Sequence, residues 1–181
     1  DDHGFCSFGV GVDFTKAACE VATTIIAQIN PNMPRTLGDS FIHLSKLDKI
    51  VAVNEPLTEL PRVWMTDETK KIGYNVAGLI ENGATLQMGM GTIPDAVLFY
   101  LQDRKDLGVH SEMFSDGIVE LVEAGIITNE KKTLHPGKCV AGFCLGTKVM
   151  YEFINNNPLF EFHPTEYVND PFIISRNDKM I

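Results

Sequence analysis

The second half of the chain alternates between short apolar runs and amphipathic stretches, with only a few residues between them. The segments "ATLQMGMG" (84–91), "LGVHSE" (107–112) and "KCVAGFCLG" (138–146) favour strands, and each precedes a stretch whose apolar residues have helical spacing. Strands that alternate with helices over short links form parallel sheets with helical crossovers. The chain is therefore predicted to be an α/β protein with parallel-sheet βαβ units.

The helical stretches carry recognisable start and stop signals. Thr66 or Asp67 is expected to cap the first helix, and Gly83 lies beyond its end. Pro94 suits the first turn of the next helix, and Asp116 is expected to cap the third. The face predicted for the first helix comprises Ile72, Val76, Leu79 and Ile80.

The first half is less regular and meets the second near residues 54–66. Its prolines and glycines predict an ordered loop at 30–40 and a connector at 54–64. The remaining predicted elements are a strand-like segment at 4–12, a helix over 15–23, a β-branched run at 25–29 and a short buried strand at 48–54.

Composition excludes several classes of protein and site. The net charge is −9 and no run of Lys or Arg exceeds two residues, so a nucleic-acid-binding face is not expected. No apolar run reaches the roughly 18 residues of a membrane span. The histidines lack metal-ligand spacing, so no metal site is expected. Reduced thiols of a cytoplasmic protein are expected for Cys6, Cys19, Cys139 and Cys144.

The glycine-rich segment "QMGMGTIPDA" (87–96) joins a predicted strand to a helix N-terminus. Backbone N–H groups at such a terminus point outward and can bind an anion or a developing oxyanion. Alternatively, Gly89 and Gly91 only permit a tight turn. The spacing matches neither a Walker loop nor a dinucleotide-binding fingerprint. Both interpretations stay open at this point.

Glu112 follows a predicted strand and precedes a predicted helix. A glutamate at this position is usually solvated or interacts with the helix dipole. If Asp116 caps the helix, Glu112 is left free for another role. A carboxylate can attack an activated acyl group and form a covalent anhydride, provided that oxyanion donors such as the amides of 89–91 lie close by.

Other polar and glycine residues give weaker indications. Gly142 is interpreted as a packing residue and Gly146 as a point of close approach to a ligand. Arg35 and Asp39 are expected to pair within their loop. The sequence reveals no Ser/His/Asp arrangement among His43, His110, His135 and His163.

Four segments together resemble the acetyl-CoA hydrolase/transferase family and, within it, the 4-hydroxybutyrate CoA-transferases. They are "NPNMPRTLGDSFIHLSKLD", "GATLQMGMGTIPDAV", "HSEMFSDGIVELVEAGIITNEKKTLHPGK" and "NNNPLFEFHPTEYVNDP". The resemblance runs along nearly the whole chain in the same order. It implies a class I CoA-transferase with two related α/β domains, of which this chain is an internal fragment. Residues 1–60 would end the first domain with its connector, and residues 61–181 would begin the second.

The resemblance also implies roles for individual residues. In "SEMFSDG" the family nucleophile falls on Glu112, in the second domain. The family element "QxGIGxIP" corresponds to "QMGMGTIP", with Met90 where isoleucine is common. Gln87, Gly89, Met90 and Gly91 would therefore line the site or bind an oxyanion. Gly146 is expected to contribute to cofactor binding.

The implied reaction moves CoA from acetyl-CoA to a small carboxylic acid such as 4-hydroxybutyrate through a glutamyl-CoA thioester. Coenzyme A is then a substrate, and no tightly bound cofactor or metal is expected. A cytoplasmic homo-oligomer is the family expectation. The nearest alternative is an acetyl-CoA hydrolase, which differs in whether water reaches the intermediate. A non-catalytic α/β module for nucleotide binding or assembly is the further alternative.

Overall fold

The computed structural model describes residues 1–61 and 64–181. The predicted connector includes Arg62 and Val63, which lie outside the described residues. The first sixty residues contain β1 (Phe5–Ser7), α1 (Thr15–Val21), β2 (Ile26–Ile29), β3 (Phe41–His43), a 3₁₀ turn (Leu44–Lys46) and β4 (Lys49–Ala52). The elements that follow are α2 (Asp67–Ala77), β5 (Thr85–Leu86), α3 (Thr92–Phe99), β6 (Gly108–Phe114), α4 (Asp116–Glu123), β7 (Cys139–Cys144), α5 (Lys148–Ile154), β8 (Phe160–Phe162), α6 (Thr165–Val168) and α7 (Pro171–Ile174).

The second half forms a parallel sheet in the order β5-β6-β7-β8, which confirms the predicted fold class. Each strand pairs with the next one in the chain, and α3, α4 and α5 make the three connections. These helices contact one another in sequence. Since the strands are added in one direction, crossovers of a single hand place their helices on one face of the sheet.

The other face of the sheet carries α6, which contacts both β6 and β7. β6 and β7 are therefore covered on both sides, as parallel strands usually are. The buried core includes Leu86, Val97, Leu98, Leu101, Ile118, Leu121, Ala141, Met150, Ile154, Phe160 and Phe162.

The first sixty residues bond to the edge of this sheet. The Cys144 amide donates to the carbonyl of Val10 at 2.9 Å, and the Val12 amide donates to the carbonyl of Gly142 at 3.1 Å. β8 is extended in the same way, because the Phe162 amide donates to the carbonyl of Leu37 at 2.8 Å. The domain division near residue 60 stays a prediction.

Two predictions, one about the first half and one about α2, are wrong. The strand predicted as buried at 48–54 is β4, whose four residues are all exposed. In α2, the predicted cap Thr66 is confirmed, since its Oγ1 accepts from the Thr69 amide. Of the predicted apolar face, Ile80 is buried, but Ile72, Val76 and Leu79 are exposed. The buried side of α2 itself is formed by Gly73 and Ala77, because Gly73 packs directly against Ala96 of α3.

The proposed pairing within the 30–40 loop is also wrong. Arg35 bonds to Asp1 at 3.1 Å, and Asp39 pairs with Lys16. Both partners come from the N-terminal segment, so these ion pairs fasten the loop to it. Among the described residues, no helix combines the length and hydrophobicity needed to cross a membrane.

Lys132 is buried beside the start of β6. Its Nζ donates to the carbonyls of Val109 at 2.7 Å and of Lys138 at 2.6 Å. The aliphatic stem passes over Gly108, where a Cβ would collide with it. Burial lowers the pKa of Lys132 from 10.5 to about 8.

The substitution Lys132→Met tests this burial through the pH dependence of stability. Between about pH 8 and pH 10 the unfolded chain binds the Lys132 proton more tightly than the folded protein does. We therefore expect the free energy of unfolding of the wild type, relative to the variant, to rise with pH in this window. The slope is at most about 1.4 kcal/mol per pH unit. Urea unfolding of both proteins at several pH values measures this slope. If the difference between their free energies of unfolding did not change with pH, the effect of burial on the Lys132 pKa would be contradicted.

Candidate active site

Glu112 is the exposed residue in a strand whose other six residues are buried. β6 continues to Phe114, so Glu112 lies within the strand and not at its end as predicted. The ladder pairs Ser111 with Ala141 and Met113 with Phe143, which puts Gly142 opposite Glu112. The backbone of Glu112 is therefore fixed by the sheet.

Gly142 lies opposite Glu112 on the neighbouring strand β7. A Cβ at Gly142 would lie 3.0 Å from the Glu112 carbonyl oxygen, so glycine leaves this space open. On the other side, the β5–β6 register pairs Leu86 with Val109. β5 ends at Leu86, and the chain continues from there into the turn that contains Gly89. Glycine at 142 thus accommodates the close approach of the Glu112 backbone.

Asn169, immediately after α6, holds the carboxylate. Its Nδ2 donates to Glu112 Oε2 at 2.7 Å, and its own backbone amide donates to the Thr165 carbonyl at 2.8 Å. Sequence reasoning did not single out Asn169. The signal available for it was its place in the segment "NNNPLFEFHPTEYVNDP", which contributes to the family resemblance.

The glycine turn is exposed at Gln87, Gly89, Met90 and Gly91. It is anchored at its base by Ser111, whose Oγ accepts from the Met88 amide at 2.9 Å and bonds to the Met88 carbonyl at 3.0 Å. Ser111 precedes Glu112, so the same strand segment carries the carboxylate and fixes the turn. Met88, within the turn, is therefore held by the residue that precedes Glu112. The role of the turn in binding an oxyanion stays a prediction.

Gly91 is the N-cap of α3, with φ +125° and no side-chain cap among the described residues. The helix begins at Thr92, with Pro94 in its first turn as predicted. An uncapped helix N-terminus presents backbone N–H groups to the space before it. Such groups are suited to stabilising negative charge on a neighbouring oxygen.

A cleft of about 310 Å³ opens beside this helix N-terminus. Met90 and Gly91 line one side of it, and Asp116 and Leu145 line another. Glu112 is not among its lining residues. Part of the glycine turn therefore faces this cleft, while the carboxylate projects on the side of the sheet where Asn169 lies.

Asp116 does not cap α4, which corrects the sequence prediction. The N-cap is Ser115, and the Asp116 carboxylate accepts hydrogen bonds from the amide and hydroxyl of Thr147. Gly146 is buried against Asp116 and Met150, where a Cβ would collide with both side chains. This packing accounts for the glycine, and a contact between Gly146 and a cofactor stays a prediction.

His110 shares the face of β6 that contacts α6. It is fully buried, and its Nε2 lies 2.9 Å from the Val168 carbonyl oxygen. Burial lowers the pKa of His110, which favours the neutral imidazole. This side chain therefore attaches α6 to β6 close to Glu112.

Comparison with known proteins agrees with this arrangement. Residues 1–60 match the acetyl-CoA hydrolase/transferase N-terminal domain, and residues 146–181 match the C-terminal domain of the same family. The chain belongs to the acetyl-CoA hydrolase/transferase family. The sequence-based resemblance is confirmed.

Relatives within the family align along the whole chain. It is 58% identical to the 4-hydroxybutyrate coenzyme A transferase of Clostridium kluyveri and 47% identical to the succinyl-CoA:acetate/propanoyl-CoA:succinate CoA transferase of Fasciola hepatica. All of this chain is covered, but only 42% and 38% of those relatives. The chain thus spans about two fifths of the length of the curated relatives it matches.

A solved family structure has the same fold. The 4-hydroxybutyrate CoA-transferase of Porphyromonas gingivalis superposes with a TM-score of 0.96 at 48% identity. The match covers 99% of this chain and 46% of that structure. The described sheet and helices therefore have the same arrangement as the matching part of that structure.

Paired alanine substitutions test the geometry of the glycine turn. At Gly91 the positive φ strains any side chain, so we expect Gly91→Ala to lower the free energy of unfolding by about 1–3 kcal/mol. Gly89 lies outside the left-handed region, and its Cβ would meet only Pro94 at 4.0 Å. Gly89→Ala should then change stability by less than about 0.5 kcal/mol. Equal effects in urea unfolding would contradict this description of the turn.

Proposed function

We propose that the protein containing this chain is a CoA-transferase whose nucleophile is Glu112. The observation that carries the proposal is the exposed Glu112 carboxylate, set opposite Gly142 in an otherwise buried strand and hydrogen-bonded by Asn169. Exposure lets a bulky thioester approach, and the fixed strand limits the carboxylate to a small range of positions. Both properties suit a group that must attack one carbonyl carbon.

The proposed reaction proceeds in two exchanges. The Glu112 carboxylate attacks the thioester carbonyl of acetyl-CoA, the carbon–sulfur bond breaks, and CoA leaves as a thiolate. The thiolate then attacks the glutamyl carbonyl of the resulting anhydride, which releases acetate and leaves a glutamyl-CoA thioester. An incoming carboxylate accepts CoA by the reverse steps, and Glu112 is regenerated. The thioester is already activated, so no histidine base is required.

The turn formed by Gln87, Gly89, Met90 and Gly91 has a complementary role in this proposal. Negative charge develops on the carbonyl oxygen when the carboxylate attacks. Backbone amides of a glycine-rich turn can approach that oxygen closely because no side chain intervenes. The hydrogen bonds between Met88 and Ser111, the residue before Glu112, support this assignment.

We propose acyl-CoA and small carboxylates as substrates, with 4-hydroxybutyrate as the acceptor to test first because a relative at 58% identity is named for it. Coenzyme A would enter as a substrate and not as a tightly bound cofactor. A cytoplasmic location and a homo-oligomeric assembly are further parts of this proposal that come from the family resemblance. An acetyl-CoA hydrolase is the neighbouring activity within the family.

The nucleophile assignment is tested with Glu112→Gln in the complete protein. Glutamine preserves the shape of the side chain but forms no anhydride, so we expect CoA transfer from acetyl-CoA to 4-hydroxybutyrate to fall on the order of 10³-fold or more. Borohydride reduction of the wild type incubated with acetyl-CoA should modify the peptide that contains Glu112. Glu123→Gln, at an exposed position of α4, is the matched control and should retain activity.

An unmodified Glu112 peptide from protein that binds acetyl-CoA would refute the assignment and favour a binding module. Steady release of CoA without an acceptor carboxylate would instead identify a hydrolase. Circular dichroism of each variant separates these outcomes from a loss of folding.

Asn169→Ala tests how the carboxylate is positioned. Loss of the 2.7 Å hydrogen bond frees the Glu112 side chain to rotate, and misplacement of a reacting group by about 1 Å can cost on the order of 100-fold in rate. We expect kcat to fall about 10- to 100-fold while the KM for acetyl-CoA changes little. The control is Asn75→Ala in α2, which is exposed and distant in the fold. An unchanged kcat would show that Asn169 does not orient the nucleophile.

A further inference from the structure

Three side chains that are scattered in the sequence meet near the edge of the sheet. Glu161 lies on β8, His163 follows it two residues later on the same face, and His135 comes from the segment between α4 and β7. His135 Nδ1 is 2.6 Å from Glu161 Oε2, and His163 Nε2 is 3.3 Å from the same oxygen. The ligand atoms of all three lie within 4.8 Å of one another. We refer to these three residues as the His135 cluster.

The spacing of the His135 cluster fits a single metal ion. Tetrahedral bonds of about 2.1 Å to nitrogen and oxygen place neighbouring ligand atoms about 3.4 Å apart. The His163–Glu161 separation already has nearly this value, and the His135–Glu161 separation needs to widen by less than about 1 Å. The three side chains are 15–25% exposed, so an ion has access from solvent.

The protonation of the cluster suits metal ligation. A ligating imidazole must be neutral, and burial lowers the pKa of His163. Hydrogen bonds from His163 and His135 lower the pKa of Glu161 against the opposing effect of its burial, which favours the charged carboxylate. His163 then offers a neutral nitrogen donor and Glu161 an anionic oxygen donor.

A neighbouring hydroxyl completes the arrangement. His135 Nε2, which faces away from Glu161, lies 2.6 Å from Tyr167 Oη on α6. Metal-bound histidines usually donate their second ring N–H to an oxygen acceptor, which fixes the ring and its tautomer. Tyr167 can serve as that acceptor for His135.

We propose that His135, Glu161 and His163 bind a divalent transition-metal ion of the Zn²⁺ class. Two imidazoles with one carboxylate favour such ions over Mg²⁺ and Ca²⁺, which prefer oxygen ligands. Three protein ligands leave a fourth position for water or an exogenous ligand. The proposed ligands do not include Glu112 or Asn169, and neither proposal depends on the other.

The complete protein, without an affinity tag, is treated with a chelator, dialysed and titrated with Zn²⁺ by calorimetry. We expect roughly one Zn²⁺ per chain, and a rise in Tm on binding. His163→Gln and Glu161→Gln should weaken binding on the order of 100-fold or more, and Tyr167→Phe about 10-fold. His3→Gln, an exposed histidine outside the cluster, is the matched control and should bind as the wild type does.

Substitution with Co²⁺ gives an independent readout, because ligation by the cluster produces visible absorption that His163→Gln should abolish. Circular dichroism establishes that each variant is folded before titration. Absence of Zn²⁺ binding by the wild type would overturn the proposal and leave the cluster as a hydrogen-bonded network only. Equal affinity in the wild type and His163→Gln, or loss of binding in His3→Gln, would overturn it as well.

Discussion

The hydrogen-bonded ladder between β6 and β7 is the interaction on which the candidate active site depends. It places Glu112 opposite Gly142 in a strand that is otherwise buried. Backbone groups in such a strand must find partners within the sheet, so neither strand can shift without losing several hydrogen bonds. A reactive side chain on this framework is positioned more precisely than one on a loop. Asn169 then has only the remaining side-chain rotations of Glu112 to restrict.

The larger elements of the fold could be predicted because their periodicity is strong. β7 and the three helices that follow β5, β6 and β7 lie close to their predicted positions. By contrast, α6 and α7 have four residues each, too few for a helical period to emerge. Burial of β4 was inferred from its apolar residues, but composition alone does not say which surface covers a strand. In α2, the close approach of Gly73 to Ala96 decided the buried side, and that depends on the neighbouring helix.

The candidate site was predictable only in part, for reasons that particular residues make clear. Glu112 and the glycine turn were found because they lie in family-like segments. Asp116 was assigned as a cap by its spacing, but its preferred partner, Thr147, comes from a different strand–helix junction. Sequence spacing likewise cannot reveal contacts between side chains that are far apart in the chain and meet only in the folded sheet. Helix α6 and the residue after it contribute to two such contacts: Tyr167 bonds to His135, and Asn169 bonds to Glu112.

The bonds that join the first sixty residues to β7 and β8 bear on the order in which the molecule folds. β5 to β8 pair with neighbours in the chain, whereas Val12 and Leu37 bond to strands that are synthesised much later. Contacts between distant parts of a chain form slowly, since a long loop must close first. Pairing among β5 to β8 is therefore expected to precede the docking of Val12 and Leu37 onto β7 and β8.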